Sequence, residues 1–339
     1  MTDYVVYAQE GRYAGWPANH GAWQWGDEFL VGFLEGPYKA HGIHHIGQPR
    51  IKMFARSLDG GHTWKVEDPN QSFMTDDREK LPVPFDILRG KRAIVRFCGD
   101  FDHGGEGCSS GGFYASPDGG KGWLGPFTTF CDWLPIEYNV FTSRTAYLPE
   151  GLVFLSVRKE DTWGWDRTYC TKWSGDPDKP FSVLGMVGDD GARCVMPAVA
   201  RSGDRLFCVL RRSVLSSCWN EAYCSDDGGI TWRSVGEVAD SGANNGNPPA
   251  ALTLADGRVL VCLGDRTRGC LIGRIVDPER LTMGEIFVVR YGAFQGKHYY
   301  DFGYPRLLMR SDGVPVCIHY WASKERPYQH IAASEVRVP

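Results

Sequence analysis

Most features that mark a metal, redox or membrane protein are missing from this chain. Its 11 cysteines include no CxxC pair and no Cys/His zinc spacing. Their odd number argues against a complete disulfide framework. Cys98, Cys208, Cys262 and Cys317 lie in apolar runs, where a thiol behaves as a small hydrophobe. The reading is reduced thiols in a cytosolic protein. The opening MTDYVVYAQEGRY has no basic stretch leading into an apolar one, so no signal peptide is expected. No apolar run is long enough to span a bilayer, and a membrane is not an expected partner. Net charge is only −4 and nothing suggests a basic patch, so nucleic acid is not expected either. Nothing calls for a cofactor.

What is abundant is glycine (42) and tryptophan (12). Part of both goes into one short motif. Ser57-Leu58-Asp59-Gly60-Gly61-His62-Thr63-Trp64 recurs as Ser116 to Trp123 and again as Ser225 to Trp232. The pattern is S-x-D-x-G-x-x-W, the Asp box. Its chemistry is that of a tight hairpin, in which the Asp carboxylate accepts backbone N–H groups and Gly supplies a positive φ. Asp59, Asp118 and Asp227 are therefore expected to serve their turns and to lie away from any catalytic site.

A longer period organises the whole chain. A strand, a Gly-centred turn and an apolar strand recur six times: AWQW-GD-EFLVGF, FDIL-RG-KRAIVRF, TAYL-PEG-LVFLSV, AVAR-SGD-RLFCVL, LTLA-DG-RVLVCL and LLMR-SDG-VPVCIH. A third strand follows each copy, and often a fourth. Six such units with no convincing helix predict an all-β fold, a six-bladed β-propeller of four-stranded antiparallel blades forming one domain over 1–339. The last unit offers three strands. The N-terminal run Asp3–Gln9 is expected to pair with Ala332–Val338 and close the ring.

Antiparallel neighbours place the strand 1–2 turns and the Asp boxes on one face. The long polar loops fall on the other face, around the channel, where a binding site is expected. That face carries Trp16, Asn19, His20, Glu35, His41, His44 and His45 from blade one. Blade two adds Asp100, Asp102, His103 and Glu106, and blade three Arg144 and Arg158. Blade four adds Arg193, Arg211, Arg212 and Glu221, blade five Asp265, Arg266 and Arg268, and blade six Asp301, Tyr304 and His319. Arginines opposite an acid/base cluster suit a carboxylate-bearing substrate. Arg211 and Arg212 are adjacent in a strand, so at most one of them faces the channel. The His41, His44, His45 cluster matches no common metal spacing, and no metal is expected.

The Asp boxes, the six repeats and the segment DFGYPRLLMRSDG resemble the sialidase superfamily over nearly the whole chain. The resemblance implies three arginines on a substrate carboxylate, a Tyr nucleophile assisted by Glu, and an Asp acid/base. Tyr304 resembles the nucleophile, Arg266 or Arg268 the last arginine, and Arg211 or Arg212 the middle one. The first arginine is missing: its motif reads Gly15-Trp16-Pro17, with Arg12 nearby. The Glu position reads Val195-Met196-Pro197, leaving Glu221 on the neighbouring strand as a substitute. His41, His44 and His45 stand in the Asp region.

The resemblance implies a glycoside hydrolase that releases a terminal acidic sugar from a glycan. Tyr304, His44, His45 and Asp102 are the catalytic candidates. Trp16, His20, Arg144, Arg211, Arg212, Arg266 and Arg268 are the substrate-binding candidates. The missing Glu and the added His residues also suit a polysaccharide lyase cleaving next to a uronate. A non-catalytic glycan-binding propeller is the third expectation.

Overall fold

A computed structural model describes residues 2–40, 44–67, 90–98, 112–135, 138–159, 166–188, 190–242, 246–294 and 301–339. Six antiparallel sheets follow one another along the chain. Blade six takes its outermost strand from the N-terminus, β1 (Asp3–Tyr7). Blade one contains β2 (Arg12–Gly15) and β3 (Ala22–Trp25), both paired to β4 (Glu28–Pro37), then β5 (Ile51–Ser57) and β6 (Lys65–Glu67). Blade two shows β7 (Ile94–Cys98), β8 (Gly112–Ser116) and β9 (Leu124–Thr128); its FDIL copy lies outside the described residues. Blade three is β10 (Tyr138–Leu148), β11 (Leu152–Lys159), β12 (Asp166–Lys172) and β13 (Ser182–Val187). Blade four is β14 (Arg193–Ser202), β15 (Arg205–Val214), β16 (Ser217–Ser225) and β17 (Arg233–Asp240). Blade five is β18 (Ala250–Thr253), β19 (Val259–Asp265), β20 (Cys270–Asp277) and β21 (Thr282–Tyr291). Blade six is completed by β22 (Gly303–Met309), β23 (Pro315–Trp321) and β24 (His330–Glu335). This is a six-bladed β-propeller of four-stranded blades.

The second strands explain the cohesion. β19 and β23 are buried at every residue, because each lies between two neighbouring blades. Every blade–blade interface has its own apolar cluster. Blades four and five meet through Phe207, Val209, Val259 and Val261, and blades five and six through Leu260, Cys262, Cys317 and Trp321. The ring closes between blades six and one through Tyr13, Phe33, Ile318 and Tyr320. β1 pairs with β24 from Asp3↔Ser334 to Tyr7↔Ile331, and the Ser334 hydroxyl donates to Asp3 at 2.5 Å. The chain's first strand thus covers what would otherwise be an open sheet edge.

The three S-x-D-x-G-x-x-W turns have the expected geometry. Ser225 Oγ donates to Asp227 Oδ1 at 2.8 Å, and Asp227 accepts the N–H of Ile230 and Thr231 at 3.1 and 2.9 Å. Gly229 has φ +100°, and a Cβ there would stand 2.6 Å from Cys170 Sγ on the neighbouring blade. Trp232 Nε1 donates back to Gly229 O at 3.0 Å. Asp118 repeats the pattern with Ser116, Lys121 and Gly122. Asp118→Ala is expected to lower the melting temperature by about 2–4 °C and to leave turnover unchanged. Loss of turnover at unchanged stability would contradict a purely local role.

The innermost strands depart from the regular pattern at one level. Blade one contains a short helix, α1 (Pro17–His20), which splits the inner strand into β2 and β3. Repeat counting alone gives no helix. Pro17 explains the break: it lacks an N–H for the ladder and its φ suits a first helical turn. Pairing register also shifts in β14 between Val195 and Ala198, and in β22 between Gly303 and Arg306. Trp16, Met196 and Tyr304 have φ of 55°, 57° and 50°, and each directly precedes a proline. A positive φ at a bulky side chain costs about 1–3 kcal/mol and persists where the surroundings enforce it. The three positions lie in one apolar cluster and form the floor of the loop-rich face.

Candidate active site

Tyr304 is held at this floor by its neighbours. Its N–H donates to Asn247 Oδ1 at 3.1 Å. The same amide accepts from Gly264 N at 3.3 Å and donates to Phe302 O at 2.9 Å, joining blades five and six. A Cβ at Gly303 (φ +106°) would come within 2.4 Å of the Asn247 amide, so glycine is required before Tyr304. The Tyr304 ring packs edge-on against Tyr320 at 5.9 Å and lies 5.8 Å below the Arg266 guanidinium.

Tyr320 is the hub of an aromatic and acidic cluster. Its hydroxyl donates to Asp301 Oδ1 at 2.6 Å and accepts from Arg266 Nη2 at 2.9 Å. Tyr13 donates to the other Asp301 oxygen at 3.3 Å. Trp16 stacks between Tyr13 at 5.0 Å and Tyr320 at 6.2 Å, and the His44 ring stands edge-on to it at 5.1 Å. Burial, and then the Asp301 charge, push the Tyr320 phenol well above its ordinary value. Burial also lowers the His44 imidazole, Asp301 opposing the shift and Arg266 and Arg50 reinforcing it. At neutral pH His44 is an uncharged acceptor of protons.

Arg211 is the decisive side chain. It is 4% exposed, its Nη1 reaches Met196 Sδ at 3.2 Å, and its Nε has no hydrogen-bond acceptor. No carboxylate among the described residues pairs with it. Burial pushes the guanidinium down to about 10; Tyr304 opposes the shift, while Arg193 and Arg266 add to it. A guanidinium buried without an anion beside it is costly.

Comparisons with solved structures identify the architecture. A protein of unknown function from Dyadobacter fermentans matches with TM-score 0.69 and 21% identity, over 99% of this chain and 98% of that one. The Hadza microbial sialidase Hz136 matches with TM-score 0.57 and 14% identity, over 96% of this chain and 66% of that one. A GH93 α-L-arabinofuranosidase of Fusarium graminearum, solved with arabinobiose, matches with TM-score 0.55 and 16% identity, over 96% and 97%. The fold is that of a sialidase-like propeller. No family profile and no curated protein sequence matches the chain.

Within this sialidase-like propeller the expected site residues separate into two groups. Tyr304, Arg211, Arg266, Trp16 and His44 come together at the floor. Arg212, one residue from Arg211, points to the other side of β15, onto Asp190 and Glu221. That also occupies Glu221, which donates nothing to Tyr304 and instead holds Arg212, Trp219 and Ser234. Arg268 pairs with Asp265 at the rim and is 58% exposed. His45 diverges from His44, stacking on Tyr38 at 5.6 Å beside Lys39 O. His20 lies deeper in the channel against Arg96. His319 is buried inside blade six, 3.0 Å from Ser334 Oγ, and does not face the site. Arg158 and Arg193 both bind Asp166. Arg12 forms a two-pronged pair with Glu35, with Nη2 at 2.7 Å from Oε2, so it does not replace the missing first arginine. Asp102, together with Asp100, His103, Glu106 and His41, lies outside the described residues, as does the Arg144 side chain.

Asn247, Tyr320 and Tyr13 were not among the sequence candidates. Asn247, like Trp16, Met196 and Tyr304, directly precedes a proline near an inner strand, whereas no local signal marks Tyr13 or Tyr320.

Buried histidines give the molecule a defined response to acid. Burial lowers His330 to about 4 and His319 well below its ordinary value. The unfolded chain takes up these protons near pH 6.5, while the folded state refuses them. Their contribution is therefore full above pH 6.5 and is lost as pH falls toward 4. His330 alone accounts for about 3 kcal/mol over that window. Urea midpoints at pH 7, 5.5 and 4.5 check this; a flat profile would contradict it.

Proposed function

We propose that the protein is a glycoside hydrolase-like enzyme that binds the carboxylate of a terminal acidic sugar on Arg211. The observation that carries this reading is the buried Arg211 guanidinium, without a carboxylate among the described residues, beside Tyr304. The likeness in fold to sialidases and to an arabinofuranosidase supports carbohydrate as the substrate class. Between these neighbours, the cation favours an acidic sugar over a neutral one.

In this reading the sugar lies over Tyr304, with the fully buried Tyr320 and Trp16 packed against that ring's surroundings. Arg211 fixes the carboxylate. Tyr304 stands under the anomeric carbon, as nucleophile or as stabiliser of positive charge in an oxocarbenium-like transition state. Arg266 lies over the Tyr304 ring, and Asp301 holds the Tyr320 that packs edge-on to it. His44, neutral at pH 7, takes the proton that the attacking hydroxyl loses and passes it to the aglycone oxygen as the glycosidic bond breaks; where Tyr304 is the nucleophile, water then frees the sugar and restores the phenol.

One observation favours a second reading, β-elimination next to a uronate. A neutral His44 is a suitable base for the C5 proton, and Arg211 a suitable partner for the enolate-like charge that develops on the carboxylate. The two are separated by incubating the protein with a panel of sialylated and uronate-containing glycans. Hydrolysis releases an acidic monosaccharide with no change in ultraviolet absorbance, whereas elimination creates an absorbing C=C bond conjugated to the carboxylate. Release of a neutral sugar instead would overturn the role given to Arg211. Saturable binding without turnover would leave a glycan-binding propeller.

A further inference from the structure

The channel below Tyr304 holds a second set of buried cations that the proposed reaction does not use. It contains a cavity of about 500 Å³, lined by the innermost segments of five blades and, from blade two, by β7. Asn19, Arg96, Thr145 and Arg306 line it, together with the aromatic rings of Trp23 and Tyr147. It includes residues close to the strand 1–2 turns, such as Gln24 and Pro149, so it lies toward the face opposite the sugar site.

Among the described residues its polar groups are under-used. Asn19 is 3% exposed, and neither its amide nitrogen nor its amide oxygen has a hydrogen-bond partner. Arg96 is 3% exposed; its Nη2 donates to His20 Nδ1 at 2.5 Å, while Nε and Nη1 have no acceptor. Thr145 Oγ1, in a residue 7% exposed, has none. Arg306 Nη2 donates to Ala18 O at 2.6 Å, leaving Nε without one. Among the described residues, no Asp or Glu lines it. Four donor-bearing side chains around one cavity, two of them cationic, form a site for a small anion with several acceptor oxygens. Water alone satisfies donors but leaves two guanidinium charges uncompensated.

We propose that this channel cavity is an oxyanion-binding site, which takes a phosphate, sulfate or carboxylate group between Arg96 and Arg306. Bound there, the anion joins blades two and six past blade one, through Asn19 and α1. It thereby stiffens the layer on which Trp16 and Tyr304 rest.

The test is thermal unfolding of the intact protein titrated with inorganic phosphate, sodium sulfate or sodium acetate, at ionic strength held constant with sodium chloride. A saturable rise in melting temperature is expected for at least one of them. The ranking tells a tetrahedral ligand from a carboxylate. Arg96→Gln and Arg306→Met should each weaken the apparent affinity at least tenfold. Thr145→Val, which leaves the charges intact, should weaken it a few-fold and serves if either arginine variant fails to fold. Arg211→Met should leave this response unchanged, which separates the channel from the sugar site. No saturable response, an equal response in every variant, or a response lost with Arg211 instead would each overturn the proposal.

Discussion

Arg211→Met is expected to raise the stability of the fold and abolish its binding of anionic sugars. Methionine has a similar reach and packs in the same slot beside Met196. The substitution removes a buried guanidinium that no carboxylate offsets, and such replacements gain about 1–3 kcal/mol. The same change deprives a substrate carboxylate of its charged partner. Losing a desolvated, hydrogen-bonded charge typically costs 2–5 kcal/mol, or about 30- to several-thousand-fold in affinity. The expected signature is therefore opposed: a higher urea midpoint together with a much higher KM for acidic substrates. Lowered stability with unchanged KM would show that the guanidinium is a packing element and that the acidic-sugar reading is wrong.

Asp166→Asn is expected to have the largest effect on stability. Asp166 is fully buried and bridges two blades, accepting from Arg158 Nε and Nη2 at 2.6 and 3.0 Å and from Arg193 Nε. The arginines hold its carboxyl below the usual range against the opposing effect of burial. Neutralising it takes the shared carboxylate away from two largely buried guanidinium groups. Breaking a buried pair in this way costs about 3–5 kcal/mol. The double variant Asp166→Asn/Arg193→Met should recover part of that loss, because one of the stranded charges is gone. A single variant within about 0.5 kcal/mol of the parent would show that the triad is solvated and energetically neutral.

The contrast between Arg211 and Asp166 shows how far the sequence could be read. The six strand–turn–strand copies, the Ser–Asp–Gly–Trp turns and the closing pair of end strands are local patterns of period two and of glycine. Each strand and turn is visible in a short window, and those within the described residues appear in the structure. Pairing is different. Alternation along β15 established that one of Arg211 and Arg212 faces inward. It did not establish which, because that depends on register against β14: Arg211 lies opposite Val195 and Arg212 opposite Cys194. Likewise Asp166 satisfies Arg193 from the neighbouring blade, across 27 residues. A window around either residue shows an isolated charge. The floor was hidden for another reason. Left-handed backbone at Trp16, Met196 and Tyr304 opposes ordinary residue preference, and only tertiary packing sustains it.

The pairing of the first strand with the last has a consequence for how the molecule is made. Tyr4 and Glu335 bond side chain to side chain across 331 residues of chain. At ordinary rates of synthesis, β1 emerges from the ribosome roughly 15–65 s before the strand it must join. Through that interval the other blades can assemble in order, each on its predecessor, while Tyr4, Val5 and Val6 wait without a sheet. Ring closure thus cannot precede the synthesis of β24. A nascent chain stalled before residue 330 should be a stack of blades, open at one end and vulnerable to strand capture by its neighbours.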